Sequence, residues 1–389
     1  MVIGIFSYAE DLSGGNYRLA KTMPLFPSSE FMLMMPKDRL EAFKKKAETL
    51  YDKRLMEILE GAVILPPLNG YRGPVGILKY GSLIAAEAKK HGIEFLYFPY
   101  GNQYFSLAFR LAGIKWTQLL QQSPVVGSLI DEDGNGFGLL MRNLKLNLGY
   151  SNAKVIKGYF RLLLLSFATK GIPLLSVSES IKYEMEKIGI KLNVNVINPG
   201  NGVDPCNGNL NRDIDLVFYA RLIPEKGVYD FLKLVQKLNP DSAVIAGFAS
   251  KYMENWLKNF LIQHDLNHKV KLMVNLTHDE GMQLLMRSKV FVYPTRLDSF
   301  ALVVLEALSC GTAVISYSIP AIRMNYMTDA VAKVRPMDLE ALIAKTKEVL
   351  KNDLWAEMGK NGRIYASYYT WEKVASSEWS TLQSILNSS

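Results

Sequence analysis

The sequence predicts an α/β fold of two doubly wound, Rossmann-like domains that face each other across a cleft. Three observations lead to this prediction. The chain has 389 residues, more than the roughly 100–200 residues of an ordinary domain. Short, continuous apolar runs alternate with helical patterns, as in a parallel sheet covered on both faces. The periodicity breaks near the middle, in a segment rich in Asn, Gly and Pro.

The C-terminal half shows the alternation most clearly. Its predicted strands are 216–220, 243–246, 270–274, 290–293 and 313–316. Its predicted helices are 228–237, 252–265, 278–288 and 300–310. Apolar strands that alternate with helices in this way form parallel sheets. Ligands of such sheets bind beyond the carboxyl ends of the strands, so two domains that face each other would enclose a ligand between them.

The N-terminal half repeats the pattern less regularly. Its predicted strands are 2–6, 31–35, 95–98, 115–120 and 174–177, and a long charged helix is predicted around 40–60. The segment 193–211 breaks the periodicity, so we place the domain boundary there, with domains at 1–195 and 196–360. We interpret 2–6 as a buried strand and not as a signal peptide, because no basic stretch precedes it and no cleavage site follows. No apolar run approaches the roughly 20 residues that span a bilayer.

The composition is that of a globular protein, with 49% apolar and 21% charged residues, which excludes disordered and collagen-like classes. A formal net charge of +8 favours anionic partners such as nucleotide phosphates, anionic lipid or nucleic acid. The only cysteines, Cys206 and Cys310, form no metal-spaced pair, and one disulfide would be no framework. We therefore expect a cytoplasmic protein in a reducing compartment, with Cys310 as a small buried residue.

A basic turn follows the first strand of the C-terminal half. It runs from Arg221 to Gly227, contains Lys226 and opens a helix. A strand-to-helix turn presents free backbone amides and a positive helix dipole, which suit a phosphate. Arg can bind a phosphate with two parallel hydrogen bonds, while Lys acts as a point charge. A solvated surface loop is an equally good interpretation of the local sequence.

Two acids follow the fourth strand of the same half. Asp298 lies in the loop, and Glu306 lies about 11 Å further along, two turns into the helix. The two carboxylates can therefore contact different parts of one extended ligand. The backbone amides of Phe300, Ala301 and Leu302 are the unpaired donors expected at the helix start. The alternative for Asp298 is a helix cap, whereas an unpartnered Glu306 in its apolar run would be costly.

These stretches together resemble the retaining family-4 glycosyltransferases of the GT-B fold. The resemblance is strongest over 175–386 and weaker in the N-terminal half. Its most specific part is Val292-Tyr293-Pro294-Thr295, then two acids separated by seven residues, then Cys310-Gly311. The turn with Arg221 and Lys226, together with segments 176–179, 198–204 and 369–371, adds less specific support.

The resemblance implies a role for each of these side chains. Arg221 and Lys226 would neutralise the diphosphate of a nucleotide-sugar donor. Glu306 would hold the ribose hydroxyls, and Asp298 would hold hydroxyls of the transferred sugar. The implied reaction is a retaining hexosyl transfer from a nucleoside-diphosphate sugar to a hydroxyl of a glycan or lipid-linked acceptor. No metal and no cofactor are implied, because the nucleotide sugar is a substrate.

The resemblance also implies how the N-terminal domain takes part. Gly14 and Gly15 follow the first strand, and paired glycines let a backbone approach a ligand closely, although they also make ordinary turns. In the family they would approach the diphosphate and the acceptor. The first domain would be the acceptor side, 196–360 the donor domain, and 361–389 a helix that returns to the first domain.

The sequence departs from the family pattern at four points. Asp298 stands where Glu is usual, and Ala220 and Ala301 stand where Gly is common. The family histidine near the donor sugar has no counterpart, since Gln121 occupies the equivalent position, with Gln122 as the second choice. Glutamine can bind a sugar hydroxyl but cannot carry a proton. A non-catalytic sugar-nucleotide-binding protein, or another GT-B enzyme such as a nucleotide-sugar epimerase, is therefore the alternative.

A basic, acid-free stretch suggests a membrane partner. Residues 134–178 contain no Asp or Glu, and Phe160, Leu163, Leu164 and Phe167 fall at helical spacing within them. A basic amphipathic helix can lie on an anionic membrane, and the alternative is a core stripe with a solvated basic edge. We expect a peripheral contact with the inner membrane face through 142–170. Nucleic acid is not an expected partner, because no reader motif is present.

Overall fold

The computed structural model describes residues 2–12, 14–123, 129–206, 208 and 211–388. Their strands form two parallel sheets, of seven and six strands. The first has the order β3-β2-β1-β4-β5-β6-β7 and the second the order β10-β9-β8-β11-β12-β13. The strands are β1 Ile3–Phe6, β2 Phe31–Pro36, β3 Val63–Leu65, β4 Phe95–Phe98, β5 Lys115–Leu120, β6 Leu174–Ser176, β7 Val194–Val196, β8 Ile214–Tyr219, β9 Ala243–Gly247, β10 Val270–Val274, β11 Ser288–Tyr293, β12 Ala313–Tyr317 and β13 Val331–Val334.

Helices cover both sheets, and the predicted pair of doubly wound domains is confirmed. They are α1 Gly15–Thr22, α2 Lys37–Ala47, α3 Lys53–Glu60, α4 Gly73–Lys90, α5 Gln103–Leu111, α6 Gly136–Leu148, α7 Asn152–Ala168, α8 Glu179–Lys187, α9 Val228–Leu238, α10 Lys251–Gln263, α11 His278–Met286, α12 Leu302–Ser309, α13 Pro320–Asn325, α14 Leu339–Lys351, α15 Leu354–Ala366 and α16 Trp371–Ser388. No helix in the described ranges is both long and apolar enough to cross a membrane.

Strand order decides which loops meet. Strands β8 and β11 are parallel neighbours, with Leu216 beside Val290, so the loops at their carboxyl ends lie side by side. The strands β1, β4 and β5 are likewise neighbours in the first sheet. The loops after these five strands carry most of the residues predicted to bind a ligand.

Two predicted helices differ from the structure. The helix expected around 40–60 is two helices, α2 and α3, because Tyr51 between them is left-handed, with φ of 52°. The helix expected at 300–310 begins at Leu302, because Ala301 is also left-handed, with φ of 65°.

Helix α16 packs back on the N-terminal domain. Trp379 packs against Phe26, with ring centres 5.0 Å apart. Arg18 of α1 is buried and forms an ion pair of 2.7 Å with Glu378 of α16, and Tyr97 of β4 donates a hydrogen bond to the same carboxylate. These contacts fix the end of the chain against the sheet that begins it.

Cys206 and Cys310 form a disulfide between residues 104 positions apart. Cys310 is buried, as expected, and its partner in the disulfide was not predicted. The segment after the first domain passes the end of α12, where the Cys206 amide donates to Ser309 Oγ at 3.2 Å. Sequence spacing cannot reveal that proximity, so the cysteine pattern gave no sound basis for expecting a reducing compartment.

Candidate active site

A pocket of about 320 Å³ lies between the two domains. All the predicted site residues except Glu306 line it. From the N-terminal domain they are Gly14, Gly15 and Gln121, and from the C-terminal domain Arg221, Lys226, Asp298, Phe300, Ala301 and Leu302. Gln122, the second choice for the family histidine position, also lines it. The prediction did not include the rest of the lining, which is Asn16, Tyr100, Asn201, Leu297 and Ser299.

The basic turn is held against the loop that follows β11. The turn forms a short 3-10 helix, Pro224–Lys226, and ends at Gly227, whose φ is +88°. A Cβ atom at Gly227 would collide with the carbonyl oxygen of Pro294, so this position requires glycine on two grounds. The Arg296 amide also donates to the Glu225 carbonyl oxygen at 2.8 Å. The two loops therefore act as one unit.

Arg221 and Lys226 differ in their exposure and in how many of their N–H groups are bonded to the protein. The Arg221 guanidinium is exposed. Lys226 is only 7% exposed, and its Nζ donates to the Leu297 carbonyl oxygen at 2.8 Å and to Asp298 Oδ2 at 2.7 Å. An ammonium group has three donors, so Lys226 keeps one N–H for a ligand at the pocket.

Asp298 is held by hydrogen bonds on both of its oxygens. Oδ2 accepts from Lys226 and from the Tyr293 hydroxyl, each at 2.7 Å. Oδ1 accepts from the amides of Ser299 and Ala301, each at 2.9 Å. Burial alone would raise the pKa of Asp298, but Lys226 and these donors hold that pKa below its ordinary value. The geometry favours the helix-cap alternative, with Asp298 as the anchor of Lys226.

The start of α12 presents fewer free amides than predicted. The Ala301 amide is bonded to Asp298 and is unavailable to a ligand, which corrects the expectation for that residue. Within the described part of the chain, the amides of Phe300 and Leu302 make no such bond. Their positions on the pocket wall and at the helix start leave these two donors for an anion.

On the opposite wall, Gly15 and Gln121 pack against each other. A Cβ atom at Gly15 would collide with the side-chain amide of Gln121. Gln121 Nε2 donates to the Pro99 carbonyl oxygen at 2.7 Å, which directs Oε1 towards Gly15. Gly14 has φ of +49° and precedes α1. Gly14, Gly15 and Gln121 therefore form a fixed surface of backbone and amide groups, and Asn16, Tyr100 and Gln122 complete this wall.

Glu306 lies beside the pocket, one turn beyond Leu302. His278 of α11 faces it, with Nε2 3.8 Å from Glu306 Oε1. Burial raises the pKa of Glu306, His278 opposes that rise and Asp204 adds to it. Tyr17 of α1 covers the pair, with its ring centre 5.2 Å from that of His278. Sequence reasoning missed His278 and Tyr17, since no local motif marks either residue.

The C-terminal half of the chain is similar to a known protein family. Residues 207–365 match the family described as glycosyl transferases group 1. The C-terminal half carries a glycosyltransferase group 1 domain. An uncharacterized glycosyltransferase of Methanocaldococcus jannaschii is 24% identical over 162 residues, which are 40% of this chain and 44% of that protein. The match thus spans less than half the length of this curated relative.

Solved structures resemble the whole chain. Sucrose-phosphate synthase from Thermosynechococcus elongatus superimposes with a TM-score of 0.72 at 16% identity, and the match covers 100% of both chains. The Anabaena protein HepE, solved in complex with UDP, superimposes with a TM-score of 0.68 at 12% identity over 99% of this chain and 100% of that one. Identities this low show the fold alone, and the fold is GT-B.

Proposed function

We propose that the protein is a retaining glycosyltransferase that moves a hexosyl group from a nucleoside-diphosphate sugar to a hydroxyl of a glycan or lipid-linked acceptor. One observation carries the proposal. Two cations and the amides of a helix start converge on one interdomain pocket, and a glycine-rich wall of the other domain faces them. The group 1 domain, and a structural neighbour solved with UDP, support a nucleotide sugar as donor.

The cationic wall would stabilise the leaving diphosphate. As the bond from the anomeric carbon to the phosphate oxygen breaks, negative charge develops on that oxygen. Arg221, the remaining N–H of Lys226 and the amides of Phe300 and Leu302 are donors already in place for this charge, which is electrostatic stabilisation of the transition state. Asp298 would fix Lys226 in position.

Among the described residues, the N-terminal wall of the pocket contains no carboxylate, imidazole or amine side chain, and Gln121 cannot accept a proton usefully. The acceptor oxygen would therefore form its bond to the anomeric carbon on the face that the diphosphate leaves, and its proton would pass to a diphosphate oxygen. This path retains the anomeric configuration and needs no residue on the opposite face. It also fits a site in which the groups that stabilise the transition state belong to the C-terminal domain, which would bind the donor.

A donor screen followed by product analysis tests the proposal. UDP, GDP, ADP and their sugars are first compared by thermal shift, since a bound ligand raises apparent stability. The donor that binds is then incubated with and without candidate acceptors, and the anomer of any product is assigned by NMR. We expect transfer with retention and slow hydrolysis without acceptor. An inverted product contradicts retention. Binding without transfer or hydrolysis supports a non-catalytic binding protein, and an epimerised donor supports an epimerase.

We also propose that α7 places the N-terminal domain on an anionic membrane at the inner face. Ile156, Phe160, Leu163 and Phe167 follow one another at helical spacing and are all exposed, Phe160 by 67% and Phe167 by 60%. The helix packs on the core with a different face, which includes Val155, Leu162, Leu165 and Ala168. The core-stripe alternative is therefore wrong for Phe160, Leu163 and Phe167, whereas Leu164, the fourth residue of the predicted stripe, is half-buried. Exposed Lys154, Lys157, Arg161 and Lys170 lie on or just after the same helix, as anionic lipid would require.

Vesicle co-sedimentation tests this second proposal. We expect wild-type protein to sediment with vesicles of phosphatidylglycerol and phosphatidylcholine but weakly with phosphatidylcholine alone. Replacing Phe160 and Phe167 by Ser should abolish sedimentation. Tyr252 is equally exposed but lies on the C-terminal domain, so Tyr252→Ser is the matched control and should bind like wild type. Equal binding to both vesicle types would contradict the proposal.

A further inference from the structure

His278 stands at a fixed backbone position beside the predicted ribose-binding acid. It is the first residue of α11, whose start is closed by a reciprocal pair of hydrogen bonds between Thr277 and Glu280. This capping box does not involve the imidazole. The imidazole instead points across to α12, where its Nε2 lies 3.8 Å from Glu306 Oε1.

The gap between these two side chains is too wide for a direct hydrogen bond and too polar to be left empty. An N–H···O bond spans about 2.7–3.2 Å, so two atoms 3.8 Å apart do not form a hydrogen bond with each other. Within the described residues, the Glu306 carboxylate accepts no hydrogen bond, and its side chain keeps 15% of its surface exposed. A carboxylate this enclosed is costly without a donor, and the pair therefore lacks a partner that a ligand can supply.

A single hydroxyl group has the size and the hydrogen-bonding capacity to fill the gap. An oxygen roughly 2.8 Å from both Nε2 and Oε1 bridges them, accepting from the imidazole N–H and donating to the carboxylate. The tautomer with its proton on Nε2 is favoured, because His278 Nδ1 is buried without a hydrogen-bond partner in the described part of the chain. A proton on Nδ1 would be a buried donor without an acceptor, which is costly.

The location of the His278–Glu306 pair relative to the pocket indicates which part of a bound nucleotide the pair would contact. Glu306 is four residues after Leu302, which lines the pocket, so it lies about 6 Å further along α12. In a nucleoside diphosphate, the ribose hydroxyls lie at about this distance beyond the phosphates. Tyr17, two residues after Gly15, covers the pair from the other domain, with its hydroxyl bonded to Asp204. The hydroxyl would thus be enclosed by both domains.

We propose that His278 and Glu306 together bind one ribose hydroxyl of the donor nucleotide, so that His278 makes the site selective for ribonucleotides. The inference rests on the proposed function, since it assumes a nucleotide donor with its diphosphate at Arg221. It adds a residue that the family resemblance does not supply. It also gives the unpartnered imidazole and carboxylate a shared role.

Calorimetric titration with matched nucleotides tests this role. UDP, GDP and ADP are each compared with their 2′-deoxy and 3′-deoxy forms on wild type, His278→Ala and His278→Gln. We expect one deoxy form to bind wild type at least about tenfold more weakly, as loss of a hydrogen bond to a charged group requires. In His278→Ala that preference should fall several-fold, with affinity for the deoxy form unchanged. Gln can donate from a position close to Nε2 and should restore part of the preference.

The outcomes separate the two levels of the proposal. His264→Ala, which alters a histidine at the end of α10, is the matched control and should keep the full preference. If wild type binds none of the three diphosphates, the proposed function fails. If wild type binds one of them, but shows no preference for the ribose form or keeps the full preference in His278→Ala, the role of His278 is overturned and the proposed function stands.

Discussion

Replacing Lys226 by Ala should destabilise the protein far more than replacing Arg221 by Ala, although both should lose activity. Lys226 is buried, and its ammonium group neutralises Asp298, whose side chain is only 17% exposed. Arg221 is exposed at the pocket. One substitution therefore leaves a buried carboxylate without its cation, and the other removes a solvated charge.

The expected size of the difference follows from these environments. Removing one partner of a buried ion pair costs about 3–5 kcal/mol. Asp298 keeps at least three other hydrogen bonds in Lys226→Ala. We therefore expect a value near 3 kcal/mol, which is about 6–12 °C in the melting temperature of a domain of this size. Arg221→Ala should stay within about 0.5 kcal/mol. Turnover should fall roughly 100-fold or more in both, as when one donor to a developing charge is lost.

Thermal unfolding of a small set of variants is the assay. Lys226→Met combined with Asp298→Asn removes both charges and should recover most of the stability but not the turnover, because the donor to the diphosphate is still missing. The pKa of Asp298 is held low in the folded state, so its stabilisation is present at neutral pH and is lost as the pH falls through that pKa. The cost of Lys226→Ala should shrink in the same direction. Equal melting temperatures for Lys226→Ala and Arg221→Ala would refute this reasoning.

Four further substitutions test three separate features of the site. Ala301→Gly relieves a left-handed conformation and should raise the free energy of unfolding by about 0.5–1 kcal/mol. Ala220→Gly changes a residue without positive φ and should lower the free energy of unfolding by a similar amount. Denaturant-induced unfolding of the two variants tests this difference. Burial raises the pKa of Glu306, so the ionised carboxylate destabilises the folded state and Glu306→Gln should raise the melting temperature at neutral pH. This gain should disappear as the pH falls through that pKa. A gain that does not depend on pH would argue against this effect of burial. Gly15→Ala would displace Gln121 and should lower turnover by up to about 100-fold, which steady-state kinetics would show.

Much of the fold follows from the sequence, because buried parallel strands are continuous apolar runs. The strands β4 and β5 have the predicted bounds. The strands β3, β7 and β13 were not predicted. The apolar runs of β7 and β13 are interrupted by Asn195 and Lys333, and β3 is cut short by two prolines. The break between α2 and α3 was also missed, because nothing in the composition shows that Tyr51 adopts a left-handed conformation.

The predicted site residues other than Glu306 lie together at the pocket, but the contacts between them could not be predicted. Local motifs identified Arg221, Lys226 and Asp298 because each lies in a turn after an apolar strand. The bond from Lys226 to Asp298 joins residues 72 positions apart, and it depends on β8 and β11 being neighbours in the sheet. Strand order is a property of the whole domain, so the contact of Glu306 with His278 was hidden for the same reason.

A crystal structure of the protein with a bound nucleoside diphosphate tests the central claim most directly. We predict the diphosphate between the two domains, with its oxygens roughly 3 Å from the Arg221 guanidinium, the Lys226 ammonium and the amide at the start of α12. A nucleotide bound in another cavity, or one whose phosphates face away from Arg221 and Lys226, would contradict the account.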